Sequence, residues 1–243
     1  MKSKKLILGV VAVFAGGVFA FGGMVSAKSN GNAKNGEAVY KKNCVECHGD
    51  KGQGRGGPQG WFTGGGGETT ELMGNQLNNQ DFLALASDDY LKETIEYGRP
   101  SHLMPSWREK GLKDKEIEDL VAFLRTWQKV PSIQVDNSLQ VWGNPVSGKD
   151  LFDSICKTCH GDDGEGTEGA PVLNDEVFLK YASDDFIRQT ILKGRRGTVM
   201  RSFLIGNDDA VVELEPRQID DIVSYIRSWD KSAKPRFTLD QMK

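Results

Sequence analysis

Cys44-Val45-Glu46-Cys47-His48 and Cys156-Lys157-Thr158-Cys159-His160 contain every cysteine of the chain. The sequence around them repeats. Ala86-Ser87-Asp88-Asp89-Tyr90 returns as Ala182-Ser183-Asp184-Asp185-Phe186. The same register carries Thr94-Ile95 onto Thr190-Ile191, Gly98-Arg99 onto Gly194-Arg195, and Met104 onto Met200. A second match pairs Ile117-Glu118-Asp119-Leu120-Val121 with Ile219-Asp220-Asp221-Ile222-Val223 and closes with Trp127 on Trp229. One unit therefore occurs twice.

A Cys-x-x-Cys-His motif reads as a site of covalent haem attachment. Two thiols one helical turn apart can add to the two vinyl groups of one haem, and the adjacent histidine is then held beneath the iron. A single motif would equally suit a redox dithiol, a disulfide or half of a zinc site. Two copies in tandem, each with a methionine in register, favour two covalently bound haem c groups. Cys44, Cys47, Cys156 and Cys159 are the expected attachment points, with His48 and His160 as the proximal iron ligands. Met104 and Met200 are the candidate distal ligands, because they alone of the six methionines pair in the repeat. Core filling is the plain alternative for both, since methionine does that well. His102, whose twin is Thr198, could replace Met104 at the iron.

The chain has 243 residues and a formal net charge of −3. No basic stripe runs along any segment, which argues against a nucleic-acid partner. Lys2, Lys4 and Lys5 precede an uncharged run through Ala27. Val25-Ser26-Ala27 suits signal-peptidase cleavage, so residues 1–27 are expected to direct export. Residues 6–25 approach the ~20 apolar residues that span a bilayer, and retention as a membrane anchor is equally open. Either way the body lies in the periplasm or on the outer face of the cytoplasmic membrane.

The periodicity expects an all-α fold. Helices are expected over 36–44 and 148–156, leading into the motifs, and over 88–96 and 184–192, capped by serine or aspartate and stopped by Gly98 or Gly194. Amphipathic helices are expected over 113–127 and 216–229. Strand signals are weak. The resulting division is an export or anchor segment (1–27), a first domain (31–129), a linker (130–145), a second domain (146–231) and a tail (232–243). An insertion in the first copy, Trp61 to Met73 with Gly64-Gly65-Gly66-Gly67, and one in the second, around Gly206 to Glu215, read as surface loops.

On these residues the chain resembles the class I cytochromes c, in a tandem dihaem arrangement. The marks are Gly36 and Tyr40 before Cys44, Pro58, Leu103-Met104-Pro105 and the last helix with Leu120, Phe123 and Leu124. In the second copy they are Gly148, Phe152, Pro171, Met200, Ile222, Tyr225 and Ile226. The resemblance implies that the first and last helices of each domain cross at the glycine. It also implies that the carbonyl of Pro58 or Pro171 accepts a hydrogen bond from the proximal histidine. Met200-Arg201 departs from the usual Met-Pro, and with Arg195 and Arg196 it places three arginines around the second methionine loop. That loop is a solvated charged surface, a propionate-pairing cluster or a docking patch. The family's chemistry is electron transfer on the outer side of the membrane, between a quinol-oxidising complex and an oxidase, reductase or small soluble cytochrome. A dihaem enzyme of the thiosulfate dehydrogenase or peroxidase kind is the alternative.

Overall fold

Polar caps set where the helices begin. Asn32 accepts hydrogen bonds from the backbone N–H groups of Lys34 and Asn35, and Asn144 from those of Val146 and Ser147. Ser87 and Ser183 do the same for Tyr90 and Phe186. Each satisfies donors that a first helical turn leaves unpaired. The computed structural model describes residues 30–54, 74–167 and 170–232. The expectations for the export segment, for Pro58 and the Gly64–Gly67 loop, and for the tail beyond Ser232 fall outside the described residues, as does the side chain of His102.

Among the described residues the first domain comprises α1 (Ala33–Asn43), α2 (Val45–His48), α3 (Gln80–Leu85), α4 (Asp88–Tyr97) and α5 (Asp114–Arg125). The second comprises α6 (Pro145–Leu151), α7 (Lys157–His160), α8 (Glu176–Tyr181), α9 (Asp184–Lys193) and α10 (Pro216–Ser228). The fold is all-α, with two local departures from what the periodicity suggests. A π-helical turn, Phe152–Cys156, joins α6 to α7. The insertion of the second copy also forms two short strands, β1 (Ser202–Leu204) and β2 (Ala210–Leu214), paired in parallel with an irregular register. No described helix is long and apolar enough to cross a membrane.

α1 crosses α5, and α6 crosses α10, at a glycine. A Cβ built on Gly36 would lie 1.8 Å from the carbonyl oxygen of Asp119, and one on Gly148 would lie 2.0 Å from that of Asp221. The backbones touch there because nothing stands between them. Beside each crossing the same aromatic triad assembles. Tyr40 packs edge-on to Trp127 at 5.2 Å, and Phe152 packs edge-on to Trp229 at 5.3 Å. Phe123 and Tyr225 complete the two clusters.

A second repeated device ties the short helices to the long ones. Arg125, on α5, donates to Asp88 and to the carbonyls of Leu83 and Ala86. Arg227, on α10, donates to Asp184 and to the carbonyls of Leu179 and Ala182. These carbonyls lie where α3 turns into α4 and α8 into α9. One guanidinium thus satisfies a corner that the helices leave open.

The segment between the domains is a strap fixed to both. The N–H of Ile133 donates to Ala84 of the first domain at 2.8 Å. The N–H groups of Asp136 and Val141 donate to Asp185 and Asp184 of the second at 2.9 and 2.8 Å. The domains also meet directly. Tyr90 packs against Phe186 with tilted rings at 4.6 Å, and Tyr97 stacks on Tyr181 at 5.5 Å. Asp81 takes hydrogen bonds from the side chain and the N–H of Arg196, and Asp175 takes one from the hydroxyl of Ser101.

Candidate haem sites

In each domain the first helix delivers the cysteine pair, a one-turn helix carries the histidine, and the last helix closes the floor. Cys44 donates its N–H to Tyr40 at 2.8 Å, so α2 continues almost directly from α1. None of the four cysteines is paired in a disulfide. Burial, helped by the neighbouring cysteine, pushes Cys44 and Cys156 up to about 12. Both sulfur atoms therefore face apolar surroundings.

His48 and His160 each present Nδ1 to a backbone carbonyl, at 2.8 Å from Asn75 and 2.9 Å from Pro171. A carbonyl only accepts, so Nδ1 carries the proton and Nε2 keeps its lone pair for a metal. Burial lowers the pKa of both rings, against the opposing effect of that carbonyl bond. Each imidazole is thus a neutral, oriented donor.

The partner expected for His48 was the carbonyl of Pro58, and the structure assigns the role to Asn75 instead. The single Nδ1–H is already used, so no second carbonyl can take it. The reason is register. Leu77 and Asn78 donate to the carbonyl of Gly52, as Leu173 and Asn174 donate to that of Gly164. Asn75 therefore corresponds to Pro171, and the added residues of the first copy lie between Gly54 and Asn75.

Met104 and Met200 sit at equivalent points of two matching loops. Gly98 and Gly194 end α4 and α9 at φ of 74° and 68°. A Cβ on either would lie within 2.5 Å of the backbone on the far side of the loop. The N–H of Arg99 closes the first loop on the carbonyl of Met104 at 2.8 Å, and that of Arg195 closes the second on Met200. Where the first domain follows its methionine with Pro105, the second has Arg201, ion-paired with Asp209 ahead of β2. In the second domain a parallel strand pair, and not a proline, follows the methionine. Of the three arginines around this loop, Arg201 and Arg196 are thus accounted for by Asp209 and Asp81.

One cavity of about 470 Å³ runs through both sites and is lined by all four cysteines, both histidines and both methionines. Its walls repeat. Leu91, Leu120 and Leu124 of the first domain correspond to Ile187, Ile222 and Ile226 of the second. The residues fit a planar, largely apolar group held at its edge by thioethers and at its centre by imidazole and thioether sulfur. Among the described residues no cluster of three or more His, Cys, Asp or Glu offers a separate metal site.

Comparisons with known proteins agree with this architecture. Residues 31–124 match the family model described as cytochrome C oxidase, cbb3-type, subunit III, and residues 146–230 match that of cytochrome c. The chain is 27% identical to the cbb3-type cytochrome c oxidase subunit FixP of Bradyrhizobium diazoefficiens, over 68% of this chain and 52% of that protein. It is 29% identical to the CcoP subunit of Rhodobacter capsulatus, over 79% of this chain and 61% of that protein. It thus spans about half to three-fifths of the length of these relatives. A solved complex of Kuenenia stuttgartiensis, a reducing HAO-like protein complex, aligns over 82% of this chain and 96% of its own, at 21% identity and a TM-score of 0.48. With two tandem motifs, one cavity lined by a matching set of residues from each half and a family match over each half, the chain is a tandem dihaem cytochrome c of class I that carries one covalent haem c in each domain.

Proposed function

We propose that this chain is an electron carrier on the outer side of the cytoplasmic membrane. In this reading it works as a subunit of, or donor to, a terminal oxidase or reductase and draws electrons from a quinol-oxidising complex or a small cytochrome. The relatives named as cbb3-type oxidase subunits support the respiratory setting, and the uncharged run in residues 6–25 supports an exported or anchored chain. The observation that carries the reading is that a histidine and a methionine from each domain line one cavity together with the four cysteines. Cys44, Cys47, Cys156 and Cys159 would hold the haems, whose iron supplies a one-electron couple. His48 and His160 would ligate one face and Met104 and Met200 the other. Held by a histidine and a methionine, each iron would have no site left for a substrate. The apolar walls exclude water, which favours a small reorganisation on electron transfer.

An optical redox titration with carbon monoxide added to the reduced holoprotein tests this. Two haem c spectra unchanged by carbon monoxide are expected. A shift in half of the haem signal would mean an exchangeable axial site and would favour the dihaem enzyme instead.

A further inference from the structure

Arg99 and Arg195 occupy the same repeat position, and each reaches across to the other domain. The Arg99 guanidinium lies 4.8 Å from the ring centroid of Phe178, and that of Arg195 lies 5.0 Å from Phe82. Phe82 and Phe178 are themselves twins, so the contact is made twice, crosswise, around the Tyr90–Phe186 pair. Both arginines line the cavity that joins the two haem sites.

Their polar atoms are only partly used. Arg99 donates through Nη2 to the Tyr90 hydroxyl at 2.6 Å, while its Nε is buried with no hydrogen-bond partner. Thr94 Oγ1, on the same cavity wall, is also buried without one. Among the described residues neither arginine is ion-paired with a carboxylate, since Asp81 pairs with Arg196 and Asp209 with Arg201. Desolvation lowers the pKa of Arg195, which lines the cavity. A guanidinium taken from water is costly unless an anion meets it. An aromatic face recovers only part of that cost. The cavity therefore calls for carboxylates here, and a haem brings two propionates. The planar fork of arginine matches a carboxylate through two parallel bonds.

We propose that Arg99 and Arg195 are the propionate-pairing residues of the two haems, each held in place by the phenylalanine of the opposite domain. Haem anchoring and domain docking are then one structure. A domain that undocks loses the ring that positions its arginine. The inference rests on the haem assignment and goes beyond the carrier reading, because it would hold for a dihaem enzyme as well.

The test uses the full haem-loaded protein and reads the propionates directly. Resonance Raman spectra of Arg99→Gln and Arg195→Gln are compared with wild type in the propionate-bending region, alongside the midpoint potentials of both haems. Each substitution is expected to shift a propionate band and to lower one midpoint potential, because removing a cation disfavours the added electron. Arg99→Lys and Arg195→Lys should recover the potential in part but not the band position, since lysine keeps the charge and loses the fork. Phe178→Leu and Phe82→Leu should move the same bands in the same direction by less. Bands and potentials unmoved in both glutamine variants, with haem content and helical circular dichroism intact, would overturn the assignment and leave the arginines as packing groups of the seam. If a glutamine variant fails to load haem, the lysine variants decide, and an unmoved band in both refutes the proposal.

Discussion

Replacing Gly36 or Gly148 by alanine puts a methyl group where a backbone carbonyl already stands. Alanine would gain about 1 kcal/mol of helix propensity over glycine. The overlaps, at 1.8 and 2.0 Å, are with main chain that cannot rotate away, so the helix pair must part. Overpacking of this kind costs about 1–3 kcal/mol. A net loss of stability is expected for either variant, read as a lower denaturation midpoint in guanidinium. At the iron, Met104→Ala or Met200→Ala should open one axial position and let carbon monoxide shift half of the reduced haem spectrum. The glycine crossings were legible through the family resemblance, and the methionines because they recur in register. Asn75 was not, since a carbonyl acceptor leaves no mark in side-chain identity. The signal that could have found it was spacing: beyond the insertion the register returns to that of the methionine loops, and there Asn75 stands opposite Pro171.

Among the elements, the corner arginines set the strongest demand. Arg227 and Asp184 are nearly sealed, with side chains 4% and 2% exposed, whereas Arg125 and Asp88 retain 15% and 25%. Removing one partner of a buried pair costs about 3–5 kcal/mol, because the other charge and the carbonyls are left unmet. Arg227→Met is therefore expected to destabilise the protein by that order and Arg125→Met by less, as measured by chemical denaturation of the two variants side by side. Apolar periodicity revealed the long helices that carry these arginines, yet it is silent on what their polar residues hold. The same limit explains the helix starts. α1 begins at Ala33 and α6 at Pro145, one residue after asparagine caps whose side chains the apolar pattern does not weigh. It also explains β1 and β2, which a short loop insertion forms with few alternating residues.

At the scale of the whole molecule, the seam joins groups 74 or more positions apart, and no local pattern announces that. Arg196 reads in sequence as part of a charged loop, while in space it is the ion-pair partner of Asp81. Burial alone would raise the Asp81 pKa, but hydrogen bonds from the Arg196 side chain and N–H, with the charges of Arg196 and Arg195, hold it below the ordinary carboxylate value. A carboxyl depressed in this way favours the docked state at any pH above its undocked pKa of about 4. That contribution fades as pH falls through the lower, docked value. Acidification below about pH 4 should loosen the two halves, and Asp81→Asn should loosen them at neutral pH. Small-angle scattering would register either as a larger radius of gyration with helical content unchanged. The Tyr90–Phe186 pair and the two crossed arginine–phenylalanine contacts make the seam nearly self-complementary. Such an isologous surface is what a single domain would use to form a homodimer. The twins of Asp81 and Arg196 are Val177 and Pro100, so like-with-like pairing would set an acid against proline or an arginine against valine. The ion pair thus works as a key that fits one half only to the other, and it disfavours the pairing of two first halves or of two second halves.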